Sequence, residues 1–122
     1  MNGGNIFPKK ERLCSRKAID ALFAAGNKSL TAYPLRVVYK PVSPEDKLQI
    51  LVSVSKRRLR HAVDRNRAKR LIREAWRMNR DLLDSCPPFH LAFIWQADEP
   101  QTQDIINRKM RSLLHRMAEA LC

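Results

Sequence analysis

Between Lys56 and Arg80 the chain carries eleven lysines and arginines, and only Asp64 and Glu74 oppose them. That segment holds +9 of the formal +12 of the whole chain. Cations at this density have one general chemistry open to them, the neutralisation of a polyanion. Each phosphate contact releases condensed counterions and adds affinity that is independent of sequence. The spacing sharpens the point. On a helical wheel at roughly 100° per residue, Arg65, Lys69, Arg70, Arg73, Arg77 and Arg80 fall with Asn66 in one arc of about 140°. Ala68, Leu71, Ile72, Ala75, Met78 and Leu82 fill a neighbouring arc of about 120°, wide enough to bury against a sheet. Arg67 stands apart, at the far edge of the apolar stripe. At ~1.5 Å rise per residue the ladder is on the order of 20 Å long, enough to follow several phosphates.

Arginine suits this work because its planar fork clamps two phosphate oxygens or stacks on a base. Asn66 adds an amide able to hold a base edge or fix a neighbouring arginine. The electropositive start of the helix draws phosphate towards Arg65–Arg67, partly offset by Asp64. A charged helix face is ordinarily a solvated surface whose acid–base pairs at i,i+4 satisfy it. Here Glu74 alone is available to the ladder from within, and unpaired like charges at that spacing destabilise a helix. The arrangement therefore asks for an external anion. Replacing Arg65 and Arg67 with alanine is expected to weaken assembly with that anion and leave the fold intact.

Catalysis by the protein itself is not expected. His61, His90 and His115 are isolated from one another and from any carboxylate dyad. His61 with Lys56 can be drawn as a general base and a cation, but a phosphate-contacting or solvated imidazole is the plainer reading among basic neighbours. Glu45-Asp46 and Asp98-Glu99 read as loop acids at the surface, so no metal site is expected in the protein. Cys14, Cys86 and Cys122 are far apart, odd in number and without CxxC spacing, which reads as reduced thiols rather than a disulfide framework or zinc site. No secretory signal is visible in residues 1–12, and nothing approaches the roughly 18 consecutive apolar residues of a membrane span. A cytoplasmic protein with no membrane partner is the expectation.

The elements that must position the ladder are legible in outline. At 122 residues and 44% hydrophobic, the chain fits one domain with a modest core. Residues 1–12 read as a flexible arm containing Gly3-Gly4 and Pro8-Lys9-Lys10. Ser15 caps a short helix with Ala18, Ile19, Leu22 and Phe23 on one face, and Gly26 stops it. Val37, Val38 and Tyr39 argue for a strand over 35–40, and Pro41, Pro44, Glu45 and Asp46 for a turn. Leu48, Ile50, Val52 and Val54 alternate with Gln49, Leu51, Ser53 and Ser55, the clearest strand in the chain. After the basic helix Pro87-Pro88 forms a break, 91–95 a third strand, and Thr102 caps a last helix along Ile106, Met110, Leu113, Leu114, Met117 and Leu121. Helix, strand, strand, helix, strand, helix is the order of a two-layer α+β domain. Trp76 and Trp95 read as core.

Two stretches then carry a resemblance. Val54-Ser55-Lys56-Arg57, followed by Ala62-Val63-Asp64-Arg65-Asn66-Arg67-Ala68-Lys69-Arg70-Leu71-Ile72-Arg73-Glu74-Ala75-Trp76-Arg77, closely resembles the signature of the bacterial ribonuclease P protein family. Arg12-Leu13, Leu22-Phe23, Gly26 and Pro34-Leu35-Arg36-Val37-Val38-Tyr39 also fit, so the resemblance covers about residues 7 to 118. One departure is the turn Arg58-Leu59-Arg60-His61, a residue longer than in many members and without their glycine.

The resemblance implies an α/β sandwich with a central sheet of about four strands, in the order α-β-β-(β)-α-β-α, the extra strand falling at 28–33. It implies a left-handed crossover through the basic helix between two parallel strands, like that in the second domain of a small-subunit ribosomal protein. It also implies a protein subunit that assists removal of the 5′ leader from precursor tRNA while a partner RNA, with bound Mg2+, carries the chemistry. The implied partners are ribonuclease P RNA and the single-stranded leader, with no second protein required. By position, Arg65, Asn66, Arg67, Lys69, Arg70 and Arg73 face RNA, joined by Arg77 from the ladder. Phe23, Val37 and Tyr39 line a leader cleft, with Lys56, Arg57 and Arg60 nearby. Taken on its own residues, Phe23 at helical spacing equally suits core packing, whereas the Tyr39 hydroxyl must reach water or a partner. A purely structural RNA-binder and a DNA-binding helix-turn-helix protein are the competing classes. The second lacks the helix and turn that would brace its recognition helix.

Overall fold

The computed structural model describes residues 12, 13, 15–24, 28–43, 45 and 47–121. Apart from residue 12, the expected N-terminal arm lies outside them, as do Cys14, Gly26, Pro44, Asp46 and Cys122. Helix α1 (Arg16–Leu22) starts where expected, with the Ser15 side chain accepting from the Ala18 N–H. Strands β1 (Lys28–Ala32) and β2 (Leu35–Pro41) form a hairpin across Tyr33-Pro34, whose peptide bond is cis. Then come β3 (Gln49–Ser53), α2 (Ala62–Asn79) with a 3-10 turn at Arg80–Leu83, β4 (Phe89–Trp95) and α3 (Gln103–Leu121). The order is the expected α+β one, including the extra strand before β2.

The four strands lie in the order β1-β2-β4-β3. All pairs are antiparallel except β3 with β4, the parallel pair that α2 connects. Helices α2 and α3 cover one face, on which Leu35, Val37, Tyr39, Ile50, Phe89, Leu91, Phe93 and Trp95 are buried in the main core. The other face holds a smaller cluster, Val38 and Ala92 beneath Leu13 and Leu22. Strands β2 and β4 are thus apolar on both sides over their centres, as strands covered twice must be.

Helix α2 seats Ala68, Ile72, Ala75 and Trp76 on the sheet. The Trp76 ring is fully buried, 5.8 Å from that of Phe93. The apolar stripe is turned relative to the wheel: Met78 is 53% exposed and Asn79 is buried instead. Asn79 tolerates burial because its Nδ2 donates to the Ala75 carbonyl and its Oδ1 accepts from Arg111 Nε on α3. Leu71 and Leu82 are only partly buried. Trp95 is core too, its indole N–H donating to the Ala97 carbonyl at 2.8 Å. Thr102 caps α3 through the Ile105 N–H, and Arg116 on α3 donates to the Thr31 carbonyl of the edge strand. Cys86 is disulfide-bonded, which corrects the reading of all three cysteines as reduced thiols. Sequence spacing fails there because pairing depends on three-dimensional approach.

Candidate nucleic-acid interface

The site begins at the turn after β3. Leu59 is buried in the main core and pins the turn, and the backbone N–H groups of Arg58 and Leu59 both donate to the Ser55 carbonyl. The residue extra to the family pattern therefore accompanies an apolar anchor in place of a glycine. Arg58 is held by Asp98 at 3.1 Å. Lys56, Arg57 and Arg60, left on the outside, are exposed. Arg65 then ties the turn to the helix, donating from Nη1 to the carbonyls of Leu59 and Arg60 at 3.0 and 2.8 Å. Arg65 therefore has a structural task of its own, and the expectation that its loss would leave the fold untouched needs correction: those two carbonyls would lose a donor.

Along α2 the cations emerge on the side away from the sheet, as the wheel requires. Asn66, Arg67, Arg70 and Arg77 are exposed, and Arg65, Lys69, Arg73 and Arg80 lie at the border of the core. Among the described residues no carboxylate pairs with Arg67, Lys69 or Arg70. Arg77 differs. It makes a two-pronged contact with Glu74, at 3.0 and 2.6 Å. That hydrogen bond holds the Glu74 carboxyl below its ordinary value and raises Arg77. Arg80 stacks its guanidinium 5.7 Å from the Trp76 ring centre.

Arg73 has its pKa lowered, first by burial and then by the positive charges of Arg12 and Arg70. Arg12 reaches this neighbourhood because residues 12 and 13 run parallel beside β3, with Leu13 N–H on the Ile50 carbonyl at 2.8 Å. Sequence reasoning did not count Arg12 among the cations of the site. A helical wheel sees only one element, and Arg12 joins from another.

The expected leader cleft is only partly assembled. Phe23, at the C-terminal end of α1, is 45% exposed and available. Val37 and Tyr39 are 0% and 3% exposed and point into the core beneath α2 and α3, so they line no cleft. Side chains alternate along a strand, and a slip of one residue exchanges the faces. Arg36, Val38 and Lys40 are the β2 residues on the α1 side, opposite Ile94, Ala92 and His90 of β4. Arg36 donates to Ser29 Oγ at 3.5 Å, a contact that lies across the surface. Exposed Phe23 on α1 and half-buried Arg36, Lys40 and Ile94 on the strands all belong to that side of the sheet. The signal that would have found Arg36 and Lys40 is the parity of β2, hidden because Val37, Val38 and Tyr39 are all apolar.

The α+β sandwich presents a cationic helix face, on which Arg67, Lys69 and Arg70 have no acidic partner among the described residues, flanked by a basic turn, the class of surface that suits a polyanion. The family model for Ribonuclease P matches residues 7–118, and the chain belongs to that family. It is 41% identical over 118 residues to the ribonuclease P protein component of Porphyromonas gingivalis, covering 90% of this chain and 85% of that one. Its fold is similar to those of the RNase P proteins from Staphylococcus aureus and Thermotoga maritima. The TM-scores are 0.73 and 0.71 at 20% and 24% identity, over 92% and 87% of this chain and 98% and 96% of theirs. Membership places the chain in tRNA processing, as a protein component with an RNA partner. No helix among the described residues is long and apolar enough to cross a membrane.

Proposed function

We propose that α2 and the turn at 56–60 dock on the RNA subunit of a cytoplasmic ribonuclease P. In this reading the α1 side of the sheet holds the single-stranded 5′ leader of precursor tRNA. The observation that carries it is that Arg67, Lys69 and Arg70, on a helix whose opposite face is locked into the core, have no acidic partner among the described residues. Their charge repels itself until an RNA backbone neutralises it. Phe23 offers a ring on which an unpaired base stacks, and Arg36 a cation for the phosphate beside it. Cleavage chemistry and its Mg2+ belong to the RNA partner.

Adding the purified chain to a bacterial ribonuclease P RNA at low Mg2+ tests this. Faster cleavage of precursor tRNA at the mature 5′ end is the expected result, and in binding assays the protein should tighten substrate binding only when the leader is present. Absence of stimulation would leave only a structural RNA-binder.

A further inference from the structure

Asn79 is the one buried polar residue among those described, and it stands where an apolar side chain would pack between α2 and α3. Its Nδ2 donates to the Ala75 carbonyl at 2.9 Å, and its Oδ1 accepts from Arg111 Nε on α3 at 3.3 Å. Such a hydrogen-bonded pair adds little stability over an apolar pair of the same shape. What an apolar pair cannot do is hold a guanidinium in one place. With Nε engaged, the four N–H groups on the two Nη nitrogens of Arg111 are left over. Arg111 is exposed, and among the described residues no carboxylate pairs with it. Its neighbours on α3 differ: Arg108 pairs with Asp104, and Arg116 donates to the Thr31 carbonyl. One turn before Arg111 the seam between the helices is fixed a second time. Gln103 Nε2 donates to the Leu71 carbonyl and to Asn107 Oδ1, at 3.0 and 2.9 Å, and Asn107 Nδ2 reaches Met78 Sδ at 3.9 Å. Exposed Met78 and Arg111 therefore hold adjacent places along this seam.

We infer that Arg111, positioned by Asn79, is a further contact to the RNA subunit, carrying the cationic face of α2 across the seam onto α3. The inference rests on the proposed docking of α2 on that RNA. The planar Nη edge of Arg111 suits a two-pronged grip on phosphate oxygens, and a guanidinium already fixed through Nε loses little freedom in making it. The thioether of Met78 gives an adaptable apolar surface for the ribose beside that phosphate. Packed helices lie about 8–10 Å apart, so the footprint beside Arg70 and Arg77 widens by about that distance. Arg111 belongs to α3 in the chain and to the face of α2 in space.

The test measures binding of a bacterial ribonuclease P RNA by the full chain over a salt series, with thermal melts of each variant. Arg111→Gln should weaken assembly about fivefold to tenfold and flatten the salt slope by about 0.9 for the phosphate contact removed, with the melting midpoint held. Arg111→Lys keeps the charge without the planar fork, so it should keep the slope and recover only part of the affinity. Arg108→Gln removes a cation of the same helix that is already paired, and should change neither. An unchanged affinity for Arg111→Gln would overturn the contact. So would a weaker affinity with a lower midpoint and an unchanged slope, the mark of a tie between helices and nothing more. Equal losses for Arg108→Gln would reduce the effect to net charge and overturn it as well, and a lysine variant equal to wild type would overturn the positioning by Asn79. Arg67→Ala with Arg70→Ala reports separately on the underlying reading. If that pair leaves assembly untouched, docking through α2 fails; if it weakens assembly while Arg111→Gln does not, only the present inference fails.

Discussion

Helices α2 and α3 are near twins in architecture. They span 18 and 19 residues, pack on the same face of the sheet and bury one stripe each in the same core. They part company in how their outer charges are settled. On α3, Arg108 pairs with Asp104 at 3.5 Å and His115 stands 3.7 Å from Glu119, both at i,i+4. On α2, Glu74 settles Arg77 while Arg67, Lys69 and Arg70 find no acid among the described residues. Amphipathic packing is therefore common to both helices and says nothing about function. The residual charge, which costs stability where it stands, is what separates α2 from α3 and supports the proposed docking role.

The comparison breaks most violently at what the helices share. Trp76→Ala empties the largest buried side chain of α2 and should cost about 3–5 kcal/mol, read as a fall in the urea midpoint. Next comes what they do not share. Arg67→Ala with Arg70→Ala should weaken RNA assembly at least about tenfold and flatten its salt slope by about 0.9 per phosphate contact, with thermal stability held or slightly raised as like charges are removed. The control on α3, Asp104→Ala with Arg108→Ala, should leave affinity within about twofold, since an exposed pair contributes little.

Arg65→Ala sharpens the contrast differently. It should weaken RNA binding and also cost about 1–2 kcal/mol, because two carbonyls lose their donor. Smallest is Glu74. Its carboxyl titrates below the usual value of 4.5 because Arg77 donates to it. Its small stabilisation is therefore present above the ordinary carboxylate range and lost as pH falls through the lowered value. Glu74→Gln should erase that part of the acid-side decline in Tm. It should also release Arg77 to RNA, which would show as a slightly steeper salt slope.

Much of this was readable beforehand, and the misses have physical causes. The basic ladder, its anchored face, the Ser15 and Thr102 caps and the alternation from Leu48 to Val54 follow from local periodicity, and the fold kept them. The face assignment of β2 did not follow. Val37, Val38 and Tyr39 are apolar in succession because the strand is covered on both sides, so the sequence offers no parity from which to tell inward from outward. Met78 and Asn79 exchanged places because a hydrogen-bonded amide can replace an apolar neighbour in the core. Arg12 and Lys40 entered the picture only through pairings between segments distant in the chain. The pairing of Cys86 belongs to the same class of fact.

The grip of Arg65 on the carbonyls of Leu59 and Arg60 has a kinetic consequence. Two hydrogen bonds tie the turn to the helix, so in the proposed docking the shape that meets RNA exists before the encounter and little ordering is left for that moment. Association should then run at a speed set by collision and long-range attraction, slowing steeply as salt is added. Cutting that grip would convert a fast capture into one that waits for a loop to find its place.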